Sequence, residues 1–143
     1  MKKINLLIAS LALAPLGLAA AADFDGSKPM LCATVNLQEC VPGGGCESVT
    51  AESINAPDFL RIDGKKKTIT AAIANETRPA TKIIKSTKFD DKLVLQGADE
   101  GLEGVRDDGL AWSIAIDLET GKMVLTASGE EVAFVIFGSC AII

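Results

Sequence analysis

The chain has 143 residues, a formal net charge of −5 and neither histidine nor tyrosine. The missing histidine excludes Ser-His-Asp and Cys-His nucleophile pairs and His-ligated metal sites, and the missing tyrosine removes another general acid. The excess of acid over base repels phosphate backbones and anionic headgroups, which argues against nucleic-acid and membrane-surface partners.

The first element in chain order is an export signal. Lys2 and Lys3 form a short positive head, and Ile4 to Leu18 follow without a charge. That length suits the apolar region of a signal peptide and is short for a membrane helix. Pro15 and Gly17 weaken the helix, and Ala19 to Ala22 supply the small residues a signal peptidase requires. The expectation is cleavage near Ala22 and release into the periplasm. No cysteine sits at the cut, which argues against a lipid anchor, and no later apolar run reaches a span's length. Residues 23–143 then form a single domain. It carries twelve basic and nineteen acidic residues, net −7, and 121 residues suffice for one modest core.

All four cysteines, Cys32, Cys40, Cys46 and Cys140, lie in that domain. In an exported chain an even count reads as a disulfide framework with three pairings open. Cys40 and Cys46 flank a flexible Val41-Pro42-Gly43-Gly44-Gly45 turn, which pairs them and leaves Cys32 for Cys140. A C-x₇-C-x₅-C run with a distant fourth cysteine is a poor match to zinc spacing. No metal or cofactor is expected.

After a polar leader, Asp23 to Pro29, the chain falls into short apolar segments parted by turn residues. Met30–Leu37 alternates, with Leu31, Ala33, Val35 and Leu37 on one face. Ser48–Asn55 is the one stretch read as a turn or two of helix, with Thr50 as its N-cap. Strands follow over Phe59–Asp63, Thr68–Ile73 and Thr81–Phe89, where the adjacent Ile83 and Ile84 predict a bulge. Asp90-Asp91 turns the chain into Lys92–Gly97. Leu110, Trp112, Ile114, Ile116 and Leu118 then alternate with Ala111, Ser113, Ala115 and Asp117, the clearest strand signal present. Lys122–Ser128 and Glu131–Gly138 complete a series of seven or eight strands joined by hairpin-sized turns. Such a series is an all-β antiparallel meander, and it hides its edges best as a closed barrel. Cys32 and Cys140 would then sit on the two strands that meet at closure.

Several constellations invite function. Gly97 to Gly109 is a long loop whose Asp99, Glu100, Glu103, Asp107 and Asp108 could gather calcium, but their spacing does not fit a calcium loop, and a solvated acidic loop is expected. Asn75-Glu76-Thr77 matches a glycosylation sequon that carries no weight behind a bacterial-looking signal. Trp112, the single tryptophan, reads as core, with ligand stacking as the alternative. Val132 to Phe137 is apolar on both faces. Either Ser48–Asn55 or the chain ends cover its outer side, or Val135 and Phe137 meet a partner.

Phe24-Asp25-Gly26-Ser27-Lys28-Pro29 with Leu31-Cys32-Ala33 resembles the start of a family of short exported proteobacterial proteins. Ala56-Pro57-Asp58-Phe59-Leu60-Arg61-Ile62-Asp63, Leu95-Gln96-Gly97, Trp112-Ser113 and the ending Phe134 to Cys140 extend the resemblance over most of the domain. It implies export and a shared fold, and brings no activity or site residues. In size and terminal cysteines the chain also looks like small periplasmic barrels that inhibit lysozyme, an analogy of architecture without matching motif residues.

The expectation is therefore a non-enzymatic binding module, a monomer or weak dimer, holding a small apolar ligand. A protein-binding inhibitor or envelope interaction protein is the alternative, and a hydrolase working through carboxylates comes third.

Overall fold

Inward-facing apolar residues at every second position give each strand one face to bury, and eight such faces turned toward one axis make a barrel. The computed structural model describes residues 23–71, 79–99 and 109–143. The expected signal peptide, the sequon and all of the acidic loop between Asp99 and Gly109 lie outside them. Among the described residues there are nine strands: β1 (Met30–Val41), β2 (Gly45–Val49), β3 (Phe59–Asp63), β4 (Thr68–Ala71), β5 (Thr81–Phe89), β6 (Lys92–Asp99), β7 (Leu110–Asp117), β8 (Lys122–Ser128) and β9 (Ala133–Ile142). Every pairing is antiparallel, and β3 to β9 follow one another as neighbours. β1 pairs with β3 through Met30–Ala33 on one edge and with β9 through Met30–Cys40 on the other. That second pairing closes an eight-stranded barrel. β2 folds back on the far half of β1 and leaves an extra hairpin beyond the barrel wall.

The two disulfides join the expected partners. Cys32 and Cys140 face each other across β1 and β9 with Cα atoms 3.9 Å apart, both buried, and fasten the closure. Cys40 and Cys46 face each other across β1 and β2 at 4.0 Å and lock the overhanging hairpin. The expected bulge also occurs, as a register shift between Ile83 and Lys85 that turns Ile83 inward and leaves Ile84 exposed. A second shift between Thr34 and Asn36 pushes Val35 out to solvent.

The helical reading of Ser48–Asn55 is corrected. Ser48 and Val49 belong to β2, and 51–55 is a turn. Thr50 does behave as a cap: its hydroxyl accepts from Ser53 N–H and Ser53 Oγ accepts from Thr50 N–H, each at 3.2 Å. The coil then stops, because Asn55 takes φ 54° and Pro57 disfavours helical Ala56.

One end of the barrel is packed solid. Met30, Cys32, Ile62, Leu93, Ile116 and Met123 fill it at 2% exposure or less. Each large side chain buried there is worth about 1.5–3 kcal/mol relative to an exposed one. Phe24, from the leader, seals this end: its N–H donates to Leu118 carbonyl at 3.1 Å and its ring lies over Gly121. Gly121 has φ 68°, and a Cβ there would fall 2.6 Å from that ring, so glycine both makes the turn and seats the plug.

Among the described residues the join of β4 to β5 is short. It comprises Thr68 opposite Lys82, Ile69 opposite Thr81, and Ile83 N–H donating to Lys67 carbonyl at 2.9 Å. The leader stands beside the rest of β5: Asp25 takes the Lys88 ammonium at 2.9 Å and Ser27 N–H at 2.8 Å.

Candidate functional site

The opposite end of the barrel is not filled. The β6 strand runs toward it and ends at Asp99, β7 starts back from it at Leu110, and the inner faces of β3, β7, β8 and β9 reach it with Leu60, Trp112, Leu125 and Phe134. Between these side chains lies a cavity of about 180 Å³, floored by Ile114 and Ile136. Its mouth is edged by the turn after β2, through Ile54, Asn55, Ala56 and Pro57. That turn is tied down at the β1 bulge. Thr34 N–H donates to Asp58 carbonyl at 2.9 Å, and its hydroxyl is shared between the Pro57 and Asp58 carbonyls at 3.1 Å.

Trp112 is the largest side chain in the wall. Its cross-strand neighbours are Gly97 on β6 and Ala127 on β8, the smallest available. A Cβ at Gly97 would collide with the indole and with the Lys82 carbonyl, so the bare backbone is what lets the ring lie across β6. The indole Nε1 is buried, with no hydrogen-bond partner among the described residues. Trp112 therefore packs on the core and also lines a cavity.

No family model, curated protein or solved structure compared with the chain matches it.

The other two candidate residues stand apart from Trp112. Val135 and Phe137 alternate with the cavity residues Phe134 and Ile136, and so belong to the outer face of β9. That face is only partly covered. Phe137 remains 43% exposed beside Val124 at 37%. Of the Ser48–Asn55 segment, Ile54 and Asn55 go to the cavity mouth.

Among the described lining residues Asp99 is the one charged side chain, and none is basic. No group of three or more metal-ligating side chains forms among the described residues, and of the acidic residues weighed for calcium only Asp99 is described. Elsewhere the carboxylates shape turns at the sealed end. Asp117 is pulled down to about 2 by the Thr120 N–H and hydroxyl, helped by Lys92 and Glu119 N–H. Asp25 is held well below the usual carboxylate range by Ser27 and Lys88. Asp91 and Asp117 in turn raise Lys92 above the usual lysine value.

Sequence reasoning missed Leu60, Ile69, Leu125 and Phe134 as site residues. Their signal was the same inward alternation that marks core, and only the register that sets Trp112 beside Gly97 distinguishes this end.

Proposed function

We propose that this chain is an exported binding module that takes one small apolar molecule into the open end of its barrel. The observation that carries the reading is the contrast between the two ends. One is packed to near-zero exposure and plugged, while the other keeps about 180 Å³ between apolar walls. An apolar cavity of about 150 Å³ takes up benzene, so this volume suits a body of about one aromatic ring. The two disulfides support an oxidising compartment, and the family resemblance supports the periplasm.

Trp112 serves as the reporter, because it is the single tryptophan and lines the cavity. Saturable change of its fluorescence with toluene, accompanied by a rise in Tm, is the expected result. Ala127→Leu puts side-chain volume into the cavity and abolishes both responses while circular dichroism stays native. A folded protein that answers to no single-ring hydrocarbon, alcohol or amine refutes the reading.

The exposed pair Val124 and Phe137 favours a second reading, a protein-binding inhibitor or envelope interaction protein that docks through the outer face of β8 and β9. Phe137→Ser would then abolish capture of its partner and leave the toluene response of Trp112 intact.

A further inference from the structure

β2 lies outside the ring of the barrel. It pairs with β1 alone and ends the strand order, so its other edge meets no strand among the described residues. Gly45 to Ser48 are all exposed, and Val49 is half-buried. The Cys40–Cys46 bond nevertheless ties this strand to β1, and the Thr50–Ser53 hydrogen bonds hold the turn that follows it. Covalent and capping restraints thus order a segment that adds almost nothing to the core.

The register fixes which backbone groups face outward. Opposed residues of an antiparallel pair alternate between hydrogen-bonded positions and closer, non-hydrogen-bonded ones. Cys40 and Cys46, with Cα atoms 4.0 Å apart, are of the closer kind. Glu39–Glu47 and Leu37–Val49 are then the bonded pairs, so the N–H and C=O of Cys46 and Ser48 point away from β1. Such an edge takes up an extended chain as a further strand. Charge decides which chain. A second copy, pairing antiparallel through both residues, sets Cys46 opposite Ser48 and therefore Glu47 opposite the second copy's Glu47, a like-charge contact at a close position. Glu39 stands opposite Glu47 within the hairpin, and neither forms an ion pair among the described residues.

We infer that β2 is the docking edge for an extended, basic segment of a partner protein, with a lysine or arginine opposite Glu47. That position is a non-hydrogen-bonded one, where cross-strand side chains approach most closely, and a cation there relieves the repulsion between Glu39 and Glu47. The disulfide holds the edge ready, so less ordering is left to the moment of binding. The surface is separate from the cavity and from the outer face of β8 and β9, and the inference does not rest on either reading.

The test uses the whole domain, isotope-labelled, and three heptapeptides. One alternates threonine with lysine, one alternates threonine with glutamate, and the third is the lysine peptide N-methylated at its threonines. Those threonine N–H groups face β2 when lysine stands opposite Glu47, so methylation keeps the charge and removes the donors. At pH 7 in low salt the lysine peptide should shift the amide resonances of β2 and slow deuterium exchange at Cys46 and Ser48. It should bind about tenfold tighter than the methylated peptide, the scale of two lost hydrogen bonds, and tighter than the glutamate peptide. Glu47→Gln should weaken it roughly threefold, as should sodium chloride at about 0.5 M. Cys40→Ala/Cys46→Ala, which leaves the barrel closed by its other disulfide, should weaken it as well. Equal affinity for the methylated peptide means plain charge attraction and overturns the inference. So do equal affinity for the glutamate peptide, shifts centred outside β2, or no shift at millimolar peptide. A dimer of the free protein that protects the Cys46 and Ser48 amides gives the edge to a second copy and overturns it too.

Discussion

Removing Cys32–Cys140 should cost far more than removing Cys40–Cys46, although the two bonds are alike in local geometry. Each joins directly opposed residues of an antiparallel pair, with Cα atoms 3.9 and 4.0 Å apart. They differ in what they enclose. Sequence separations of 108 and 6 give about 4.8 and about 2.2 kcal/mol in the chain-entropy model. The structure widens the gap. Cys32 and Cys140 are buried in the packed end of the barrel, so their truncation also removes core contacts. The short bond sits on a hairpin outside the barrel, where Cys46 is exposed, and its loss should cost about 1–2 kcal/mol after native-state strain is discounted. A domain of this size commands about 5–15 kcal/mol in all, so the double variant Cys32→Ala/Cys140→Ala should be close to unfolding at 37 °C. Urea melts followed by Trp112 fluorescence measure both costs. Equal midpoints for the two double variants, or a larger loss for Cys40→Ala/Cys46→Ala, would refute the argument that barrel closure depends on the β1–β9 staple.

Two further outcomes follow from single residues. Gly97→Ala should destabilise by about 2–4 kcal/mol and alter the Trp112 emission, because the added methyl occupies the space of the indole and the Lys82 carbonyl is fixed backbone. An unperturbed Tm would show that the ring does not lie across β6. Asp25 and Asp117 have folded values below the unfolded 3.8, so the stability they confer is present above about pH 4 and is lost as pH falls through those folded values, near 2 for Asp117. Acid melts of Asp117→Asn and Asp25→Asn should therefore fall less steeply below about pH 4 than the parent, and identical slopes would count against the turn and leader contacts.

Much of the barrel was legible because its strands each bury one face. Phe59–Asp63, Thr81–Phe89 and Lys122–Ser128 have the bounds that alternation and turn residues predict, and the paired isoleucines mark the bulge. β2 escaped notice for the converse reason. It overhangs the barrel, its residues are largely exposed, and with no core to face it carries no apolar period. The Thr50–Ser53 capping chemistry is the same for a helix and for a single turn, so only Asn55 and Pro57 decide between them. Phe24 was hidden inside a leader read as polar, though it closes the barrel end. The cavity itself has no local signature. Leucine, isoleucine and phenylalanine at inward positions read as core, and whether they meet in the middle depends on summed volumes across strands far apart in sequence.

The uneven joins around the ring also set how the wall breathes. β1 and β9 are laced from Met30 to Cys40 and stapled by a disulfide, while β4 and β5 meet through Thr68–Lys82 and Ile69–Thr81. Among the described residues the shorter join holds few hydrogen bonds, so the amide protons that bridge it, such as Ile83 N–H to the Lys67 carbonyl, should exchange with deuterium well before those that bridge β1 and β9. Ile69 and Thr81 both line the cavity. The part of the wall held by fewest described hydrogen bonds therefore touches the cavity, and exchange at this seam should slow when a ligand fills it.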